Sequence, residues 1–79
     1  MPRQSPKLIL AALRVAEARR IVTEQNMQIA RLEIAGEPTL EAEKALQSYE
    51  SALRHLEGHE QRLREERSAW TRETKKRSS

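Results

Sequence analysis

With 79 residues, no cysteine, one Trp, one Tyr and no Phe, the chain has room for one small domain and none for a disulfide framework or thiol chemistry. Its acids are all glutamate and its two glycines stand apart, at Gly36 and Gly58, which excludes a Ser–His–Asp triad and a glycine-rich phosphate loop. A net charge of +3 is modest, and the longest apolar run, residues 8–13, is too short for a membrane span or a leader, so a cytoplasmic protein is expected.

Ser5-Pro6 reads as a helix start, with Ser able to cap and Pro tolerated at the first helical position. From there Leu8, Ala11, Val15, Ala18, Val22, Gln25, Ile29 and Leu32 recur at alternating three- and four-residue steps, the seam of an amphipathic helix. Gly36 suits a left-handed stop, Pro38 blocks continuation, and Thr39 is placed to cap a second helix whose first turn carries Glu41 and Glu43. The second seam is Ala42, Leu46, Tyr49, Leu53, Leu56, Glu60, Leu63, Arg67 and Trp70. The pattern predicts an N-terminal tail at 1–5, a helix at 6–35, a turn at 36–39, a helix at 40–74 and a basic tail at 75–79. The fold class is therefore all-α, an antiparallel coiled-coil hairpin of two long helices.

The short turn also predicts the register, because opposed residues must sum to about 74. Large residues of the second helix then face small ones of the first, Gln25 falls beside Tyr49, and Glu60 falls beside Arg14 as a polar pair. Glu50 with Arg54, Glu60 with Arg64 and Glu73 with Arg77 are spaced for support within the second helix. Trp70, last of the seam, is expected to seal the open end.

The backs of the two helices differ. Helix 1 carries a second apolar stripe, Ile9, Leu13, Ala16, Met27, Ala30 and Ile34, interrupted by Arg20 and Thr23. Helix 2 reads Lys44, Gln47, Ser51, Arg54, Gln61, Glu65, Ser68 and Arg72, polar throughout. One helix is patterned to be covered on two sides, which predicts a protein interface on helix 1 and dimerisation of hairpins into a four-helix bundle. Partners are accordingly a second copy or another helical protein, with no small-molecule substrate.

Sites for chemistry are sparse. His55 and His59 stand four apart, but two ligands do not make a zinc site, and the zincin spacing fails because Leu56 follows His55 and Leu63 stands where a second His is needed. No catalytic, cofactor-binding or metal residue is assigned and no cofactor is expected, so the chain reads as a non-enzymatic protein. The rival signal is a basic pole with one aromatic, Arg62, Arg67, Trp70, Arg72, Lys75, Lys76 and Arg77, a pattern able to bind nucleic-acid phosphate weakly. Around the turn, residues 33–43 hold Glu33, Glu37, Glu41 and Glu43 with no Lys or Arg.

The run Ala16-Glu17-Ala18-Arg19-Arg20-Ile21-Val22, then Gln28-Ile29-Ala30-Arg31-Leu32, Gly36, Thr39-Leu40-Glu41-Ala42-Glu43 and Leu46, resembles a group of small uncharacterised bacterial proteins. Tyr49-Glu50, Leu53, His55-Leu56 and Arg62-Leu63 fit the same pattern, while Glu37-Pro38 departs from it, standing where the group has a polar residue and Asp. The resemblance implies a helical hairpin and supplies no activity, partner or functional residue.

Overall fold

The computed structural model describes the backbone of residues 5–77 and the side chains of residues 5–70. The chain forms two helices, α1 (Pro6–Ile34) and α2 (Leu40–Arg77), and α2 returns along α1 as a hairpin of 66 × 20 × 14 Å.

Ser5 occupies the N-cap of α1 with extended backbone (φ −59°, ψ 135°), and its carbonyl accepts the Ile9 N–H at 3.0 Å. Its side chain makes no capping hydrogen bond, contrary to expectation. Pro6 follows directly, so one of the helix's orphan donors is already absent and the start is set by proline geometry instead.

The far end of α1 closes as the glycine motif requires. Ala35 is the cap (φ −77°, ψ −6°), Gly36 takes φ 71°, the Gly36 N–H reaches the Glu33 carbonyl at 3.1 Å and the Glu37 N–H reaches Leu32 at 2.9 Å. These two bonds form a Schellman motif, and they satisfy carbonyls the helix would otherwise leave open. A Cβ on Gly36 meets nothing within 4 Å, so Gly36→Ala should lose about 1 kcal/mol through the backbone alone. Gly58 behaves oppositely. A Cβ there meets only the end of the Arg62 side chain, at 3.7 Å, and Gly58→Ala should gain about 1 kcal/mol. Urea unfolding of the two variants checks both; midpoints moving in the same direction would contradict this account of the turn and the helix.

α2 begins with the Thr39 carbonyl accepting the Glu43 N–H at 2.8 Å and runs to Arg77, past the expected boundary at 74. After Gly58 there is no Gly or Pro to stop it, and residues 75–77 are cations, favourable at a helix C-terminus.

The seam is confirmed on α1, where Leu8, Ala11, Val15 and Ile29 are buried and Ala18, Val22, Gln25 and Leu32 are half-buried. On α2, Ala42, Leu46, Leu53, Leu56, Leu63 and Arg67 are half-buried and Glu60 is buried at 9% exposure. Three polar expectations change. Tyr49 is 40% exposed while its neighbour Glu50 is half-buried, and the ring lies at the edge of the seam, lining a hollow with Ala18, Ile21, Ala52 and Leu56. Gln25 does not pair with Tyr49; its side-chain amide donates to the Ala42 carbonyl at 2.8 Å. Glu60 accepts from Arg64 of its own helix at 3.1 Å, as their four-residue spacing predicts, and not from Arg14 across the seam. The one ion pair between helices, among the described residues, is Arg19 to Glu57 at 2.9 Å, and it agrees with the register read from the turn.

Candidate functional site

The outward face of α1, with Leu10 at its edge, carries most of the exposed large apolar side chains among the described residues. Ile9, Leu13, Ala16, Arg20, Thr23, Met27, Ala30 and Ile34 follow one another at strict four–three spacing, the repeat of a helix seam. At about 100° per residue they lie on the side of α1 turned away from α2. Every one of them is exposed; Leu13 is 62%, Met27 51% and Ile34 88% exposed, with Ile9 at 44%. Leu10, 49% exposed, widens the patch near the helix start. On the back of α2, by contrast, Lys44, Gln47, Ser51, Arg54, Gln61, Glu65 and Ser68 are all exposed and all polar; the Arg72 side chain lies outside the described residues.

Arg20 is the one cation in the stripe. Its guanidinium donates to Glu17 and lies 3.9 Å from Glu24, one turn away on either side. The hydrogen bond to Glu17 and then the field of both carboxylates push its pKa above the ordinary arginine value. The charge is therefore already partnered along the helix edge.

One feature of the other faces escapes a reading of apolar spacing alone. Between the helices lies an open hollow of ≈ 290 Å³ lined by Ala18, Ile21, Tyr49, Ala52 and Leu56. It arises because small side chains, Ala18 and Ala52, fall on facing helices. Its walls are almost wholly apolar, with Arg14 and Glu17 at the rim.

The basic end is only partly described. Arg62 and Arg64 are exposed, Arg67 is half-buried, and Arg72, Lys75, Lys76 and Arg77 have side chains outside the described residues. Trp70 borders a hollow with Ser5, Lys7, Leu8 and Leu63 yet stays 67% exposed, so it flanks the open end instead of sealing it. His55 and His59 are both exposed, and no group of three metal-ligating side chains occurs among the described residues. No helix among the described residues is long and apolar enough to cross a membrane. No family model, curated protein or solved structure matches this chain.

Proposed function

We propose that the hairpin is a non-enzymatic interaction module whose working surface is the outward stripe of α1, buried against another helix on assembly. The observation that carries this reading is the contrast between two backs of equal accessibility, apolar at heptad spacing on α1 and polar on α2. A large aliphatic side chain fully withdrawn from water contributes about 1.5–3 kcal/mol, and Ile9, Leu13, Met27 and Ile34, 44–88% exposed in the single hairpin, each gain the still-exposed share of that on burial. Two hairpins joined this way make a four-helix assembly with the α1 helices inside and the polar backs of α2 facing water.

The test is substitution on the stripe. Ile9→Glu and Met27→Glu each place a charge in the joint, and each should weaken association at least tenfold by sedimentation. Helical circular dichroism should stay near wild type, because both positions are exposed within the single hairpin. Association that survives both variants unchanged would remove the α1 stripe as the working surface.

A second reading draws on α2, which continues as helix to Arg77 beyond the level where α1 begins. Arg62, Arg67, Arg72, Lys75, Lys76 and Arg77 on that end suit weak, salt-sensitive binding to nucleic-acid phosphate, and Trp70 is an aromatic of the type that stacks on a base. Reversing Arg72, Lys75 and Lys76 to Glu should then cut binding of a fluorescent single-stranded oligonucleotide more than tenfold and leave assembly intact. Binding unchanged by the reversal eliminates the second reading.

A further inference from the structure

Resting on the α1 stripe as the working surface, we infer that its occupant is a second copy of this chain, laid antiparallel about a two-fold axis passing between Ile21 and Val22. The stripe is close to self-complementary when reversed. Leu13 then falls opposite the partner's Ala30, and Ala16 opposite the partner's Met27, so in these layers a large side chain meets a small one and the layers interdigitate. Ile9 closes each end against the partner's Ile34. In the middle, Arg20 lies opposite the partner's Thr23 and beside the partner's Glu24, which keeps the guanidinium among carboxylates as its surroundings dry.

A parallel pairing of the same stripe fails on both counts. It sets Leu13 on the partner's Leu13 and Ala16 on the partner's Ala16, crowding one layer and leaving the other hollow. It also sets Arg20 directly on the partner's Arg20 in one layer of a seam that excludes water, whereas the antiparallel form steps the two guanidinium-bearing residues apart by three positions, about 4.5 Å along the axis. Charge along the whole hairpin points the same way. By sequence the C-terminal pole is basic, seven cations from Gln61 to Ser79 outnumbering Glu65, Glu66 and Glu73, and the turn holding Glu33, Glu37, Glu41 and Glu43 is acidic. The antiparallel arrangement brings each basic pole level with the acidic turn of the other copy. The parallel arrangement stacks like poles. Because α1 lies between these charges, they act as a long-range field that favours one orientation and weakens with salt.

The interface is isologous, so it closes at two copies and leaves no free stripe to propagate. Other registers of the antiparallel pair leave part of the stripe uncovered at one end.

Site-directed cross-linking tests the arrangement cleanly, since the chain has no native cysteine. Ala16→Cys and Met27→Cys, both at exposed positions, are made separately, one with a purification tag to set its mass apart, then co-refolded and treated with a short bis-maleimide. Circular dichroism confirms that each variant keeps its helices. The inference predicts a cross-linked product joining one variant to the other and almost none within either variant alone, because equivalent residues 16 sit about 16 Å apart along the axis in the antiparallel register. Efficient cross-linking of each variant to itself would overturn the antiparallel arrangement. So would a dimeric mass with no product between residues 16 and 27. A monomeric wild-type chain overturns the second copy as occupant but leaves the stripe open to a different helix, whereas a dimer indifferent to Ile9→Glu and Met27→Glu overturns the stripe itself.

Discussion

Val15→Glu should leave most of the chain unfolded at 25 °C, with the helical circular dichroism and the cooperative thermal transition both lost. Val15 is the most deeply buried side chain among the described residues, at 2% exposure. Removing it forfeits about 2 kcal/mol of apolar burial, and the incoming carboxylate costs several kcal/mol more if it stays buried and charged. The register makes the position worse than an average core site. Val15 lies level with Glu60, already buried at 9% exposure and satisfied by Arg64, so two carboxylates would share one dry layer with a single cation. A domain of this size has of the order of 4–12 kcal/mol in total, and the substitution consumes most of it. Val15→Ala separates burial from charge: it should lower the unfolding midpoint by a loss of about 2 kcal/mol and keep the fold. Wild-type helicity and cooperativity in the Glu variant would show that the hairpin seam is not where its stability resides.

Arg20→Leu should act in the opposite sense, tightening association by at least tenfold. In the single hairpin Arg20 is exposed and held to Glu17 and Glu24, so the exchange has little to do with folding of one copy. In the proposed pair the same position is a core layer, and each copy must strip water from a guanidinium to form it. Leucine removes that cost twice per dimer and adds apolar contact. The predicted side effect is loss of orientation, since Arg20 against the partner's Arg20 no longer penalises the parallel form. Cross-linking between residues 16 and 27 should accordingly become less exclusive in the Arg20→Leu background. Association unchanged or weakened by this substitution would place Arg20 outside the joint.

Much of this architecture is legible in the residue pattern, for identifiable reasons. Gly36 followed by Pro38 leaves the chain one compact way to reverse, and the observed Schellman bonds are that way. The α1 seam is equally plain because Leu8, Ala11, Val15 and Ile29 hold their spacing between polar neighbours. Polar partners are harder. Glu60 had Arg64 within its own helix and Arg14 across the seam, and spacing alone does not weigh a rotamer on one helix against a reach between two. The Gln25 amide found a backbone carbonyl, an acceptor present at every position and therefore invisible in composition. Tyr49 keeps the heptad spacing, yet it is 40% exposed at the edge of the seam, and the hollow by Ala18 and Ala52 depends on which small residues coincide across the helices. Arg19 with Glu57 follows from the register of the turn, since the two positions sum to about the same value as the opposed apolar residues. The candidate surface itself, the α1 stripe, needed only the sequence; its uniform exposure in the folded hairpin is the structural addition.

Sedimentation equilibrium over a range of concentration at moderate salt tests the central claim most directly. The account predicts a mass approaching twice the 9.2 kDa of one chain, reverting toward one chain in Ile9→Glu and Met27→Glu. A folded species that holds the mass of a single chain at every concentration would contradict it.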